Sequence, residues 1–189
     1  MRAQVAAHGG TIVAMAATAA VSLYLLALPV SIIAAVLAAL AVFIAVVDLE
    51  YLVIPDIANL ALLVLGVVLT IIDAAPGGVP MALADMLARC AAAGAVLLSL
   101  RYVYLRRAGV EGLGLGDVKL AAAGATLLAW PTLPIALLVA SAGGLLAIAS
   151  RSVTHRKWPD RKAEIPFGAF LAPAIWIAFL LERTGALAF

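Results

Sequence analysis

Long apolar runs separated by short polar breaks constrain the fold of this chain more than any other feature. A helix that crosses a bilayer needs about 20 mainly apolar residues. Seven apolar runs occur along the 189 residues, at about 10–28, 30–48, 57–73, 81–103, 117–130, 132–150 and 166–184. The sequence therefore predicts an all-α, polytopic integral membrane protein with about seven transmembrane helices. The short run at 117–130 predicts a tilted or half-buried helix.

The scarcity of charge supports this membrane assignment. Charged residues make up 12% of the chain and hydrophobic residues 67%, whereas soluble domains carry about a quarter charged residues. This composition leaves no room for a separate soluble domain, so residues 1–189 are interpreted as one membrane-embedded domain. Apolar sequence continues to about residue 47, beyond the roughly 7–15 apolar residues of a signal peptide. We therefore expect the first run to be a retained span, the bilayer to be a partner, and nucleic acid not to be one.

The distribution of basic residues predicts the orientation. Lys and Arg concentrate in short cytoplasmic loops of membrane proteins. With a cytoplasmic N-terminus, every Lys and Arg except Arg89 and Arg183 falls on the cytoplasmic side. These residues are Arg2 and the basic residues of segments 101–119 and 151–162. The opposite loops at 72–79 and 130–134 carry none, which favours an odd number of spans.

Cysteine and histidine are too few to indicate a metal site. The single cysteine, Cys90, can form neither an internal disulfide nor a structural zinc site, and its Ala-rich surroundings indicate an apolar packing residue. His8 and His155 lie far apart in polar flanks and are interpreted as solvated. We expect no metal and no organic cofactor.

Two aspartates stand out because each lies where an apolar run meets a polar loop. Asp48 ends the second run shortly before Pro55-Asp56, and Asp117 follows the glycine-rich segment 112–116. Ionisable groups within a membrane are costly and usually functional. The predicted topology places both aspartates on the cytoplasmic side, so the sequence predicts a carboxylate pair there.

Such a pair has a recognisable chemistry. If Asp48 and Asp117 approach within about 3–5 Å, both cannot be ionised cheaply and one proton is shared. One carboxylate then acts as general base on a water while the protonated partner polarises the scissile carbonyl. Gly114 and Gly116 permit close backbone approach, which would let an extended substrate lie against the second acid. A transporter or proton-conducting protein would use similar acids and glycine-rich breaks, and the residues alone leave both functions open.

The remaining acidic residues are interpreted more simply. Asp73, Asp85, Asp160 and Glu182 are expected to be solvated at the membrane rim. Asp85 and Arg89 are spaced i, i+4 and are expected to form a helix pair worth a few tenths of a kcal/mol.

Three segments of the chain resemble the type IV prepilin peptidases, leader peptidases of the Gly-x-Gly-Asp class of intramembrane aspartic proteases. In chain order, these are Asp48 followed by Ile54-Pro55-Asp56, then Gly112-Leu113-Gly114-Leu115-Gly116-Asp117-Val118-Lys119-Leu120, then Ile165-Pro166-Phe167-Gly168-Ala169-Phe170-Leu171-Ala172-Pro173. The resemblance runs from about residue 30 to the end, with 1–29 as an additional span. A presenilin-like protease is a poorer match, because Val47 replaces the tyrosine expected before the first aspartate.

The resemblance implies removal of a short basic leader from prepilins or pseudopilins at the cytoplasmic face of the inner membrane. It implies that Asp48 and Asp117 are the catalytic pair. Supporting or substrate-site residues would be Pro55, Asp56, Gly114, Gly116, Lys119, Pro166, Phe167 and Gly168. Bifunctional members also carry a domain with Cys-x-x-Cys motifs, associated with zinc and with N-methylation. Because this chain has one cysteine, we expect a short form that lacks that domain.

Overall fold

The computed structural model describes residues 2–109, 112–155 and 166–187. These residues form seven helices and no strand. In chain order the helices are α1 (Arg2–Leu25), α2 (Val30–Tyr51), α3 (Asp56–Asp73), α4 (Val79–Ala108), α5 (Leu115–Ala125), α6 (Thr132–His155) and α7 (Gly168–Arg183). Each predicted apolar run corresponds to one helix, so the all-α, multi-pass fold is confirmed.

The helices differ in whether they are long enough to cross a membrane. Among the described residues, four helices are sufficiently long and apolar: α2, α3, α4 over Val79–Arg107, and α6 over Thr132–Ser150. The apolar part of α1, Gly10–Leu25, is shorter. Helix α5 has only 11 residues, which extend about 16 Å at 1.5 Å per residue. That is about half of the ~30 Å hydrocarbon core, so α5 enters the bundle from one side.

Small residues let α5 pack in the centre of the bundle, against α3, α4 and α7. A Cβ atom placed at Gly66 of α3 would overlap the side chain of Thr126, just after α5. A Cβ atom placed at Gly124 of α5 would overlap Ile175 of α7. Lipid is as apolar as a protein core, so close packing and polar contacts hold membrane helices together. These glycines provide that close packing around the helix that carries Asp117.

Helices α2 and α7 form the other half of the core. Helix α2 packs against α1, α3 and α7, and α6 packs against α7. Phe179 and Ile175 of α7 are among the fully buried side chains, as is Leu37 of α2. The Trp176 indole N–H donates a hydrogen bond of 3.1 Å to the Ser22 hydroxyl, which links α1 to α7.

The turn between α2 and α3 is bounded by a residue that ends α2 and a proline that precedes α3. Leu52 adopts a left-handed conformation with φ of 56°, and its N–H donates to the Asp48 carbonyl at 3.0 Å. Pro55 then precedes α3 in an extended conformation with φ of −63°. Proline cannot donate to a preceding turn and commonly marks the start of a helix. Asp48 therefore remains in the last turn of α2, at the edge of the bundle.

The polar residues at the opposite end of the bundle make contacts beyond those that the sequence predicted. Asp85 and Arg89 form the expected i, i+4 pair, with Arg89 Nε 3.6 Å from the carboxylate. Asp85 also accepts a 2.9 Å hydrogen bond from the Trp130 indole, so it connects two segments. Asp85 is exposed, as predicted, with 49% of its side chain accessible, and it also joins two elements that are distant in sequence.

Asp73 and Glu182 also have partners on other segments. Asp73, at the end of α3, lies 2.5 Å from the Arg183 guanidinium at the end of α7. Glu182 accepts a 2.9 Å hydrogen bond from the backbone N–H of Ala129, in the turn before α6. These contacts join the ends of separate helices. The pairing with Asp73 explains why Arg183 lies at the end of the bundle opposite to most basic residues. Asp160 and residues 156–162 of the basic loop lie outside the described residues.

Candidate active site

Asp48 and Asp117 line one cleft of about 440 Å³ at the same end of the bundle. Both are largely shielded, with 4% of Asp48 and 8% of Asp117 exposed. The residues that line the cleft are Asp48, Leu52, Val53, Ile54, Pro55, Asp56, Gly114, Leu115, Gly116, Asp117 and Lys119. The end of α2, the turn before α3 and the start of α5 therefore form its walls.

The N-terminus of α7 holds the carboxylate of Asp48. The backbone N–H of Ala169 donates a 2.8 Å hydrogen bond to Asp48 Oδ2, and the N–H of Gly168 also interacts with this carboxylate. Free N–H groups in the first turn of a helix favour a negative charge. Phe167 caps α7, accepting backbone hydrogen bonds from the next turn, and Pro166 precedes it. The segment at 166–168 thus presents the start of α7 to Asp48.

Asp117 lies in the first turn of α5, immediately above the loop that leads into it. Gly114 caps this helix in an extended conformation, with φ of −66° and ψ of 147°. A Cβ atom placed at Gly114 would lie 3.1 Å from Asp117 Oδ2, and the Gly114 N–H interacts with this carboxylate. The other oxygen, Oδ1, is buried without a hydrogen-bond partner in the part of the chain that the structure describes.

Ile54 links the two halves of the site, and sequence reasoning missed it as a site residue. Cβ atoms placed at Gly116 and Gly168 would lie 3.2 Å from Ile54 Cβ and 2.5 Å from Ile54 Cδ1, respectively. This side chain is therefore enclosed between the backbones of the Gly-x-Gly-Asp segment and of α7. The sequence placed Ile54 in the motif before Pro55, but it gave no indication that this side chain contacts Gly116 and Gly168.

The two acidic side chains lie near one backbone N–H group at the start of α7. Both interact with the backbone N–H of Gly168, and the charge of Asp48 acts on Asp117. Two shielded carboxylates that face the same N–H group disfavour double ionisation.

An exposed ion pair bridges the mouth of the cleft. Lys119 Nζ lies 2.7 Å from Asp56 Oδ1, with 55% of the lysine and 75% of the aspartate side chain exposed. It joins the start of α3 to α5. Exposed pairs contribute at most about 1 kcal/mol, so we expect this contact to open readily.

Among the described residues, no group of three or more His, Cys, Asp and Glu side chains is placed to hold a metal ion. Cys90 is a free cysteine of intermediate exposure.

Comparison with known proteins identifies the family. Residues 35–149 match the model of the type IV leader peptidase family. The chain is 37% identical over 134 residues to a prepilin leader peptidase/N-methyltransferase of Aeromonas salmonicida, 36% over 135 residues to one of Aeromonas hydrophila and 30% over 134 residues to one of Stutzerimonas stutzeri.

Each of these alignments covers 71% of this chain and 44% of the relative, so the match spans less than half the length of these curated proteins. No solved structure matches the chain. The matched region includes both Asp48 and Asp117 and ends before Pro166. Because the family model covers more than half of the sequence, the chain belongs to the type IV leader peptidase family.

Proposed function

We propose that this protein is a membrane-embedded aspartic endopeptidase that removes the leader peptide from prepilins or pseudopilins. The observation that carries the proposal is the shared cleft, in which Asp48 and Asp117 are both shielded from solvent. Leader cleavage is what the relatives' names describe. The family match includes the two aspartates, which supports the assignment of this chemistry to the cleft.

The two carboxylates would share the steps of peptide hydrolysis. The ionised carboxylate removes a proton from a water molecule, whose oxygen attacks the scissile carbonyl carbon. The protonated carboxylate donates its proton to the carbonyl oxygen, which gives a tetrahedral intermediate. When the C–N bond breaks, a proton passes to the leaving nitrogen and the products are a carboxylic acid and an amine. The proton belongs to the pair, so neither Asp48 nor Asp117 has a permanent role.

The neighbouring motif residues would support this reaction. Gly114, Gly116 and Gly168 allow the backbones around the two acids to approach closely. Pro166 and Phe167 present the start of α7 to Asp48. Pro55 would define the end of the turn before α3. The exposed pair between Asp56 and Lys119 would join α3 to α5 at the cleft.

We place the cleft at the cytoplasmic face of the inner membrane, with the N-terminus on the same side. Arg101, Arg106 and Arg107 lie at the cleft end of α4, and Lys119 lies at the cleft mouth. Such a concentration of basic residues favours the cytoplasmic side. We treat residues 1–189 as one domain because α1 packs against α2 and contacts α7 through Ser22.

The alternative function, a proton or ion pathway, requires acidic groups distributed along a route. Asp48 and Asp117 lie at one end of the bundle. At the other end, Asp73, Asp85 and Glu182 are engaged by neighbouring residues. Because the acids lie at the two ends of the bundle and not along a continuous route through it, their distribution favours a hydrolytic site over a proton or ion pathway.

Asparagine variants test the proposal. Asp48→Asn and Asp117→Asn should each abolish the conversion of a prepilin to its mature form in membranes, because each removes one ionisable member of the pair. Protein level and membrane insertion should remain near normal. Asp73→Asn, at the far end, is the matched control and should retain cleavage. Cleavage by either active-site variant would refute the mechanism, and proton flux in liposomes without cleavage would favour the pathway.

A further inference from the structure

We infer that Arg101 and Tyr104 of α4 are positioning residues that set the location of Asp117. They would act by holding the segment Gly112–Gly114 in front of α5. The inference rests on the proposed function, because its readout is peptide cleavage. Neither residue belongs to the motifs at 48–56, 112–120 or 165–173, and neither lines the cleft.

Arg101 holds the loop through a backbone carbonyl. Its Nη1 donates a hydrogen bond to the carbonyl oxygen of Leu113, 12 residues further along the chain. The Leu113 side chain is partly buried and packs against the hydrophobic core. The next residue, Gly114, caps α5. The guanidinium therefore holds the peptide that joins Leu113 to the cap residue of the helix that carries Asp117, and it satisfies an acceptor outside any helix.

Tyr104 holds the same loop by steric contact. It follows Arg101 by three residues, so both side chains project from the same face of α4. A Cβ atom placed at Gly112 would lie 2.5 Å from Tyr104 Cε1 and overlap the ring. The Gly112 backbone therefore lies against the ring, and a Cβ atom there would require the ring, which is 47% exposed, to move. Two contacts from one helix face thus define the path of residues 112–114.

The position of the loop is transmitted to Asp117. The Gly114 carbonyl accepts the Val118 N–H at 3.4 Å in the first turn of α5. The Asp117 carboxylate lies against Gly114 and interacts with its N–H, while Oδ1 has no partner among the described residues. Asp48, by contrast, is held directly by the N–H of Ala169. A displacement of the loop would therefore move Asp117 relative to Asp48, and a shift of about 1 Å can reduce a rate about a hundredfold.

Steady-state kinetics of leader cleavage with purified protein test this inference. Arg101→Met should lower kcat at least about tenfold with little change in KM, because the interaction acts on the reacting geometry. Arg101→Lys should recover part of kcat, since an ammonium can still donate to the Leu113 carbonyl. The matched control is Arg106→Met: Arg106 is an exposed arginine of the same helix, 5.0 Å above the Tyr102 ring. It should retain wild-type kinetics.

Rescue and pH dependence separate positioning from a general loss of folding. Gly112→Ala should lower kcat because its Cβ overlaps the ring, and adding Tyr104→Ala should restore much of that loss. Arg101→Met should also change the shape of the kcat–pH profile, because displacement weakens the coupling of the two carboxylates. The inference would be overturned by wild-type kcat in Gly112→Ala, or by a Tyr104→Ala substitution that fails to restore the kcat of Gly112→Ala. It would also be overturned if Arg101→Met kept the wild-type kcat–pH profile and only lowered the amount of folded protein. Absence of cleavage by the wild-type protein would instead refute the proposed function.

Discussion

The contact between Gly168 and the first aspartate provides the sharpest test of how the site is assembled. In Gly168→Ala, the new Cβ would lie 2.5 Å from Ile54 Cδ1 and 3.1 Å from both Ile54 Cγ1 and Asp48 Oδ2. Carbon atoms in favourable contact are about 3.5–4.0 Å apart, so relief requires a movement of about 1 Å. Ile54 has little room to move, because it is buried and also lies against Gly116.

Two magnitudes follow from this geometry. Overpacking of a buried site costs about 1–3 kcal/mol of unfolding free energy, which most proteins, stable by about 5–15 kcal/mol, survive as folded molecules. Movement of α7 or of the carboxylate disturbs the 2.8 Å hydrogen bond from Ala169 to Asp48. Because misplacement by about 1 Å can cost about a hundredfold in rate, kcat should fall by about that factor. Activity should thus fall far more than the amount of folded protein.

The assay compares cleavage kinetics with thermal unfolding in detergent. Gly94→Ala is the matched control, because its Cβ would lie at an ordinary 3.5 Å from the Ala122 Cβ; it should retain wild-type activity and stability. Adding Ile54→Val to Gly168→Ala removes the nearest carbon and should restore stability more than activity, since the contact with Asp48 remains. Wild-type kcat in Gly168→Ala would show that the start of α7 does not position Asp48.

Two further predictions concern contacts outside the carboxylate pair. Glu182→Ala should lower the unfolding free energy by about 1–3 kcal/mol, because the Ala129 N–H loses its acceptor, whereas Glu182→Gln should cost less; equal losses in denaturant unfolding would exclude this hydrogen bond as the cause. Asp56→Asn and Lys119→Met should each change the unfolding free energy by less than about 1 kcal/mol, since their pair is exposed. A larger coupling in a double-mutant cycle would contradict that estimate.

The helical architecture could be predicted because the bilayer imposes strict requirements. A spanning backbone must satisfy its own hydrogen bonds, and a helix does so within one segment. Apolar length and proline placement therefore predicted seven helices, including the short α5. The run at 81–103 gave no sign that α4 extends over Val79–Ala108, because the charged residues of its last turns are as compatible with a loop as with a helix end.

The acidic residues were predictable only in part. Asp48 and Asp117 were recognisable because carboxylates are rare in so apolar a chain and lay beside turn-forming residues. Asp73 and Asp85 are exposed, as predicted, but the partners that Asp73, Asp85 and Glu182 have on other segments were not predicted. Hydropathy describes the cost of placing a charge at the rim, but it contains no information about which helix end lies beside it.

The sequence by itself determined that the chain forms membrane helices and that two acidic motifs lie at helix ends, since both follow from local apolarity and turn chemistry. Only the tertiary structure decided how the acids are held. The N–H of Ala169 reaches Asp48 across 121 positions, and Ile54 lies between two glycine backbones. Such contacts depend on how closely separate helices pack, a property of the assembled bundle that no single segment encodes.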